Sequence, residues 1–158
     1  MIDSRIKGIF SKLSHVLLGK RMIIAKSQKD LDKMRESGEL IAEVREMLRG
    51  MVEIGVTTLE MNAAAEKMIR DHGAIPSFIG YHGFPFAICA SANDRVVHGF
   101  SDKTPLKEGD IISIDVASSY NGYVGDTAFT APVGKVSDEV AQLIKVTEEC
   151  LYLGIEQC

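Results

Sequence analysis

An Asn121-Gly122 pair, flanked by Tyr120 and Tyr123, interrupts an otherwise β-forming run from Gly109 to Thr130, GDIISIDVASSYNGYVGDTAFT. Asn-Gly between β-formers supplies positive φ at both central positions of a tight turn and is the strongest short-range signal for a hairpin. A two-residue turn leaves no freedom of register. With Tyr120 opposite Tyr123, paired residue numbers add to 243, so Asp115 lies opposite Ala128 and Asp126 opposite Ala117. Both carboxylates then share one face, a diagonal step apart, which in sheet geometry is roughly 7–8 Å between α-carbons. Ile112, Ile114 and Val116 alternate with the polar positions and give the first strand an apolar back.

Two acids this close need compensation, because a buried carboxylate without a partner is costly. Inward-facing acids on strands serve as metal ligands, as catalytic groups or as partners of a basic residue. The residues themselves point to a divalent metal site. The alternative is a solvated sheet face that happens to carry two unrelated Asp residues.

At 158 residues the chain is long enough to bury one core of ordinary size. A net charge of -4 argues against a nucleic-acid binder, which needs clustered Lys and Arg to neutralise phosphates. Cys89, Cys150 and Cys158 are too few and too irregularly spaced for a disulfide framework, which suggests a reducing compartment, the cytoplasm by default. No stretch approaches the roughly 18 apolar residues of a transmembrane segment. The charge is uneven, however. Residues 1–22 carry Arg5, Lys7, Lys12, Lys20 and Arg21 against Asp3, a net of +4, leaving -8 for residues 23–158. With Ile2, Ile6, Ile9, Leu13 and Leu17 at helical spacing, residues 1–22 are expected to be an appended basic amphipathic leader. It could dock on the domain, stay disordered, touch an anionic membrane or address an organelle.

Ser27 with Asp30, and Thr57 with Glu60, have capping-box spacing. The first predicts a long helix whose Leu31, Met34, Ile41, Val44, Leu48 and Met51 face a core as far as a break at Gly55. The second predicts a helix with Leu59, Ala63 and Met68 inward, stopping where His72 meets Gly73. The following stretch, AIPSFIGYHGFPFAICASANDRVVHGF, is rich in aromatic residues, Gly and Pro. It reads as a strand over Phe86 to Ser91, a turn at Asn93-Asp94 and a second strand over Val96 to His98. His82 and His98 each precede a Gly in this aromatic setting, either lining a pocket or serving as hydrogen-bonded structural imidazoles. Ser137 opens a last helix through Val140, Leu143, Ile144, Val146 and Leu151, which reaches Cys158 without a stop signal, as though cut inside a continuing element.

The blocks GYHGFP, NDRVVHG, LKEGDIISIDV and GYVGDTAFT, in this order and spacing, resemble the amino-terminal half of the type I methionine aminopeptidases. The likeness runs from about Ile24 to the last residue, and the eleven-residue separation of Asp115 and Asp126 matches the family's. The resemblance implies an α+β pita-bread fold, an antiparallel sheet with helices on one face, here the first of two pseudo-symmetric halves. It implies removal of initiator Met from new proteins with two divalent ions, Co, Mn, Fe or Zn, which ligand type alone does not separate. Asp115 would chelate one ion and Asp126 bridge to the other. His98 would hydrogen-bond the substrate near the scissile amide, and Tyr81, His82, Phe84 and Cys89 would lie in or beside the pocket for the methionine side chain. Phe84 stands where a Tyr is frequent.

The family completes its dinuclear site with a His and two Glu from its second half, for which this sequence has no counterpart. The expectation is therefore a truncated copy of a complete enzyme or a pair of chains, a homodimer, that buries the bare face. Expected partners are the amino-terminal Met of peptides and nascent proteins, with the ribosome as a further one. A competing reading is a catalytically inactive binding module of the same fold. A prolidase or proline-specific aminopeptidase is a weaker one, given the small size and the GYHGFP block.

Overall fold

Ser27 and Thr57 start the two helices that carry the sheet. In the computed structural model, which describes residues 25–158, α1 (Gln28–Gly50) begins with a complete capping box. Ser27 Oγ accepts the Asp30 N–H while the Asp30 carboxylate accepts the Ser27 N–H at 3.0 Å. Thr57 and Glu60 repeat the arrangement at the start of α2 (Thr58–Asp71). Each such cap is typically worth about 1 kcal/mol. The leader expected over residues 1–22 lies outside the described residues.

The hairpin of β3 (Ile111–Tyr120) and β4 (Tyr123–Pro132) has the register read from its turn, with Asp115 opposite Ala128, Ala117 opposite Asp126 and Tyr120 opposite Tyr123. Asn121 and Gly122 adopt φ of 51° and 83°, the values a type I′ turn requires. The other edge of β3 pairs with two strands placed end to end, β2 (Ile88–Ala92) along Ile112–Val116 and β1 (Ile75–Pro76) at Ser118–Ser119. Every pairing is antiparallel.

One face of this sheet is covered. Ile88, Ile112, Ile114 and Val116 are fully buried there with Val44 and Leu48 of α1 and Met61, Ala65 and Ile69 of α2. Gly125 makes the contact between α1 and β4 possible, since a β-carbon on it would sit 2.5 Å from the Ser37 carbonyl oxygen and 2.9 Å from Ile41 Cγ2. The other face, bearing Asp115 and Asp126, carries no helix packed against it among the described elements. Helix α3 (Asp138–Ile155), capped by Ser137, touches the fold at β4 and buries none of its residues.

Four expectations need correction. Val96 to His98 is a loop: His98 has φ of 55°, which no strand accommodates, and the bond from Ala90 N–H to the Gly99 carbonyl straps the loop onto β2 instead. Helix α1 ends at Gly50, ahead of Gly55, and its Leu31 and Met34 lie beyond the sheet and are exposed. In α2 the fully buried stripe is Met61, Ala65 and Ile69, one step round from the expected one; of the expected residues Met68 packs against the core part-buried, and Ala63 is left in solvent. The early strand over residues 86–91 is Ile88–Ala92. Strand β1, two residues long and half proline, gives no periodic signal at all.

Candidate metal centre and cleft

Residues 115 and 126 sit on neighbouring strands of one hairpin, and Cys89 of β2 pairs directly across from Asp115 on its other side. A carboxylate, a second carboxylate and a thiol are thereby brought to the helix-free face. Burial raises the Asp115 pKa above its ordinary value, and the charge of Asp126 and a hydrogen bond between the two carboxyl groups raise it further. The nearby His98 pulls in the opposite direction. Burial, followed by the charges of Asp115 and Asp126, pushes the Cys89 thiol up to about 11. It is therefore an uncharged, weakly nucleophilic wall group at neutral pH.

Neither carboxylate takes part in any of the ion pairs among the described residues. Two adjacent acids with no ion pair to Lys or Arg among the described residues, set among hydroxyl and methyl side chains, fit a hard divalent cation as part of its ligand set. The described residues bring together no group of three or more His, Cys, Asp or Glu side chains suited to hold a metal. The donors present fit the group in part.

Beside the carboxylates lies a cleft of about 430 Å³. Asp115 and Cys89 contribute to its lining, as do Phe78, Phe84 and Phe100, and Tyr81, His82 and His98 complete the rim. Phe84 meets Phe78 edge-on at 6.4 Å and Phe100 at 5.2 Å between ring centres, so the three rings brace one another. His82 and His98 both have left-handed backbones, with φ of 48° and 55°. Each is followed by a residue that can turn sharply, Gly83 with φ of 82° and Gly99 in close contact with β2.

All of the residues expected to face a substrate, Tyr81, His82, Phe84, Cys89 and His98, line this one cleft together with Asp115. Asp126 is exposed and borders the cleft through Asp115. Sequence reasoning misses Phe78 and Phe100. Both lie in the aromatic, glycine-rich stretch, and the positions flanking GYHGFP and HG are where a search for ring partners of Phe84 would have found them. A second cavity, of about 310 Å³, lies on the other side of Phe100. Two of its three acids are structural, with Asp102 accepting the Thr104 N–H at 2.7 Å and Asp110 the Lys107 N–H at 2.8 Å.

Residues 32–158 match the model of metallopeptidase family M24. This chain belongs to family M24. Its likeness to methionine aminopeptidases, drawn above from four motif blocks, is borne out by its relatives. Methionine aminopeptidase 1 of Bacillus subtilis (strain 168) is 47% identical over 136 residues, covering 86% of this chain and 55% of that protein. Among solved structures, the methionine aminopeptidase from Thermotoga maritima superposes with a TM-score of 0.83 at 33% identity, covering 87% of this chain and 55% of that one. The methionine aminopeptidase from Rickettsia prowazekii gives a TM-score of 0.78 at 41% identity, covering 81% and 52%. The α+β pita-bread assignment holds, and the M24 chain spans about half the length of the curated relatives it matches.

Proposed function

We propose that this M24 chain supplies the cleft and the first two metal-binding carboxylates of a methionyl aminopeptidase, an enzyme that removes initiator Met from new proteins. The observation that carries the reading is the pair Asp115 and Asp126, adjacent, with no ion pair to Lys or Arg among the described residues, and bordering an aromatic cleft that also holds His98. A metal ion held there supplies Lewis acidity, polarising the carbonyl of the first peptide bond and acidifying water. Asp115 would serve as a ligand to one divalent ion and Asp126 as a ligand shared with a second, with Mn, Fe, Co and Zn all compatible with the donors.

The remaining work falls to the chain's own groups. Phe78, Phe84 and Phe100 offer an apolar, polarisable lining to an unbranched thioether, and the neutral Cys89 thiol adds no charge to it. Tyr81 and His82 border the entrance. From the rim, His98 hydrogen-bonds the substrate next to the scissile amide and stabilises the charge that develops there. Nascent-chain amino termini are the substrates in this reading, with the cytoplasm as the expected setting and the ribosome as a further partner. No helix among the described residues is long and apolar enough to cross a membrane.

A second reading is a binding module of the same fold, and the partial ligand set of the described residues favours it. An assay on Met-Ala-Ser separates the two. Release of free Met that requires Mn or Co and is abolished by Asp126→Asn supports the enzyme. Peptide binding that is indifferent to metal and to Asp126→Asn supports the module.

A further inference from the structure

His98 is held in a conformation that side-chain-bearing residues keep only where their surroundings over-determine it. Beside the Arg95 side chain, which reaches the Phe100 carbonyl at 3.4 Å, the next residue, Gly99, makes two hydrogen bonds to β2. The Gly99 carbonyl accepts the Ala90 N–H at 2.9 Å, and the Gly99 N–H donates to Ser91 Oγ at 3.1 Å. The approach is so close that a β-carbon on Gly99 would lie 2.0 Å from the Ala90 carbonyl oxygen. Ser91 is itself buried, 4% exposed, and pairs with Ser113 on the same side of the sheet as Cys89 and Asp115.

The two bonds do different things. The Gly99 carbonyl belongs to the peptide plane after Gly99, so its bond to Ala90 anchors the loop without fixing what precedes it. The Gly99 N–H belongs to the plane between His98 and Gly99, whose direction is set by ψ of His98. Whatever holds that N–H holds the His98 backbone, and through it the direction in which the imidazole leaves the loop.

We infer that Ser91 is the positioning residue for His98, its buried hydroxyl locking the peptide plane that aims the imidazole into the cleft beside Asp115. The inference rests on the reading of the cleft given above only for what His98 does to a substrate. Removing the hydroxyl leaves the Ala90 bond in place, so the loop stays attached while ψ of His98 is free to change.

Amide exchange and ring resonances measured by NMR on wild type, Ser91→Ala and Ser91→Thr test this without substrate or metal. In Ser91→Ala the Gly99 amide should exchange about two- to tenfold faster, the range expected for losing one ordinary hydrogen bond. The His98 ring signals should shift from their wild-type positions, and Ser91→Thr, which keeps the acceptor, should restore both. Unchanged Gly99 exchange and His98 signals in Ser91→Ala would overturn the inference. So would equal acceleration at Ala90 and Ile114, which would mean a loosened sheet rather than a lost tether. Should Ser91→Ala not fold, Ser91→Cys, with a weaker acceptor of similar size, reads the same two signals. Titrating Mn into the wild-type sample judges the metal reading separately: no response around Asp115 and Asp126 counts against that reading and leaves the Ser91 result standing.

Discussion

At Asp115 three influences meet: partial burial, a second carboxylate within hydrogen-bonding reach, and an imidazole close enough to offset part of the charge. A residue placed this way is a cost to the fold until a cation arrives. Asp115→Asn is therefore expected to stabilise the metal-free protein at pH 7, where a carboxyl with a raised folded pKa is a cost, while weakening metal uptake. Calorimetry in the presence of a chelator checks the first part, and a lower melting temperature would contradict it. His98→Ala should slow turnover about 10²-fold, the usual cost of one oriented donor, and leave metal content intact. Far from the cleft, the Ser27 hydroxyl and the Tyr123 phenol hold the Asp30 carboxyl down at about 2, from an ordinary 3.8. A depressed carboxyl contributes stability that is complete above the ordinary value and fades as the pH falls through the folded one. Tyr123→Phe keeps the ring under Lys33 but loses the phenol. The gap in melting temperature between it and wild type should be constant above about pH 5 and narrow below pH 4 towards pH 2.

Among the elements, the hairpin and the starts of the helices are legible in the sequence because each depends on local chemistry: Asn121-Gly122 for the turn, Ser27 with Asp30 and Thr57 with Glu60 for the caps. What depends on a distant partner is not. The loop over Val96 to His98 shows the composition of a strand, and only its attachment through Gly99 to Ala90 and Ser91 makes it the arm that carries His98. Leu31 and Met34 follow helical period, but period gives the direction of a stripe and not how far the sheet extends beneath it. The contact of α1 with β4 turns on Gly125, whose need is visible only when Ser37 is seen across from it. Gly125→Ala should cost about 1–3 kcal/mol, because the new methyl meets backbone that cannot swing aside. Urea denaturation measures this, and a loss below a few tenths of a kcal/mol would show that α1 can slide.

Among the described residues, one face of the sheet is covered by α1 and α2 and the other carries Asp115, Asp126 and the aromatic cleft. The motif blocks carried the site further than any local rule could, since His98, Asp115 and the Tyr81–Gly83 turn converge from three separate segments. Helix α3 displays Leu143, Leu151, Tyr152 and Ile155 to solvent, an apolar surface of the kind that marks contact sites. Leu143→Glu with Leu151→Glu should leave the melting temperature unchanged, because both side chains are exposed among the described residues, while reducing any concentration-dependent association in sedimentation experiments. A fall in melting temperature would mean that α3 is packed after all. The central claim, that two carboxylates converge to grip a divalent cation, is tested most directly by titrating Co into wild type, Asp115→Asn and Asp126→Asn and following the visible absorption of the bound ion. Saturable uptake by wild type that weakens at least about tenfold in each variant is the predicted result. Equal uptake by all three proteins would contradict it.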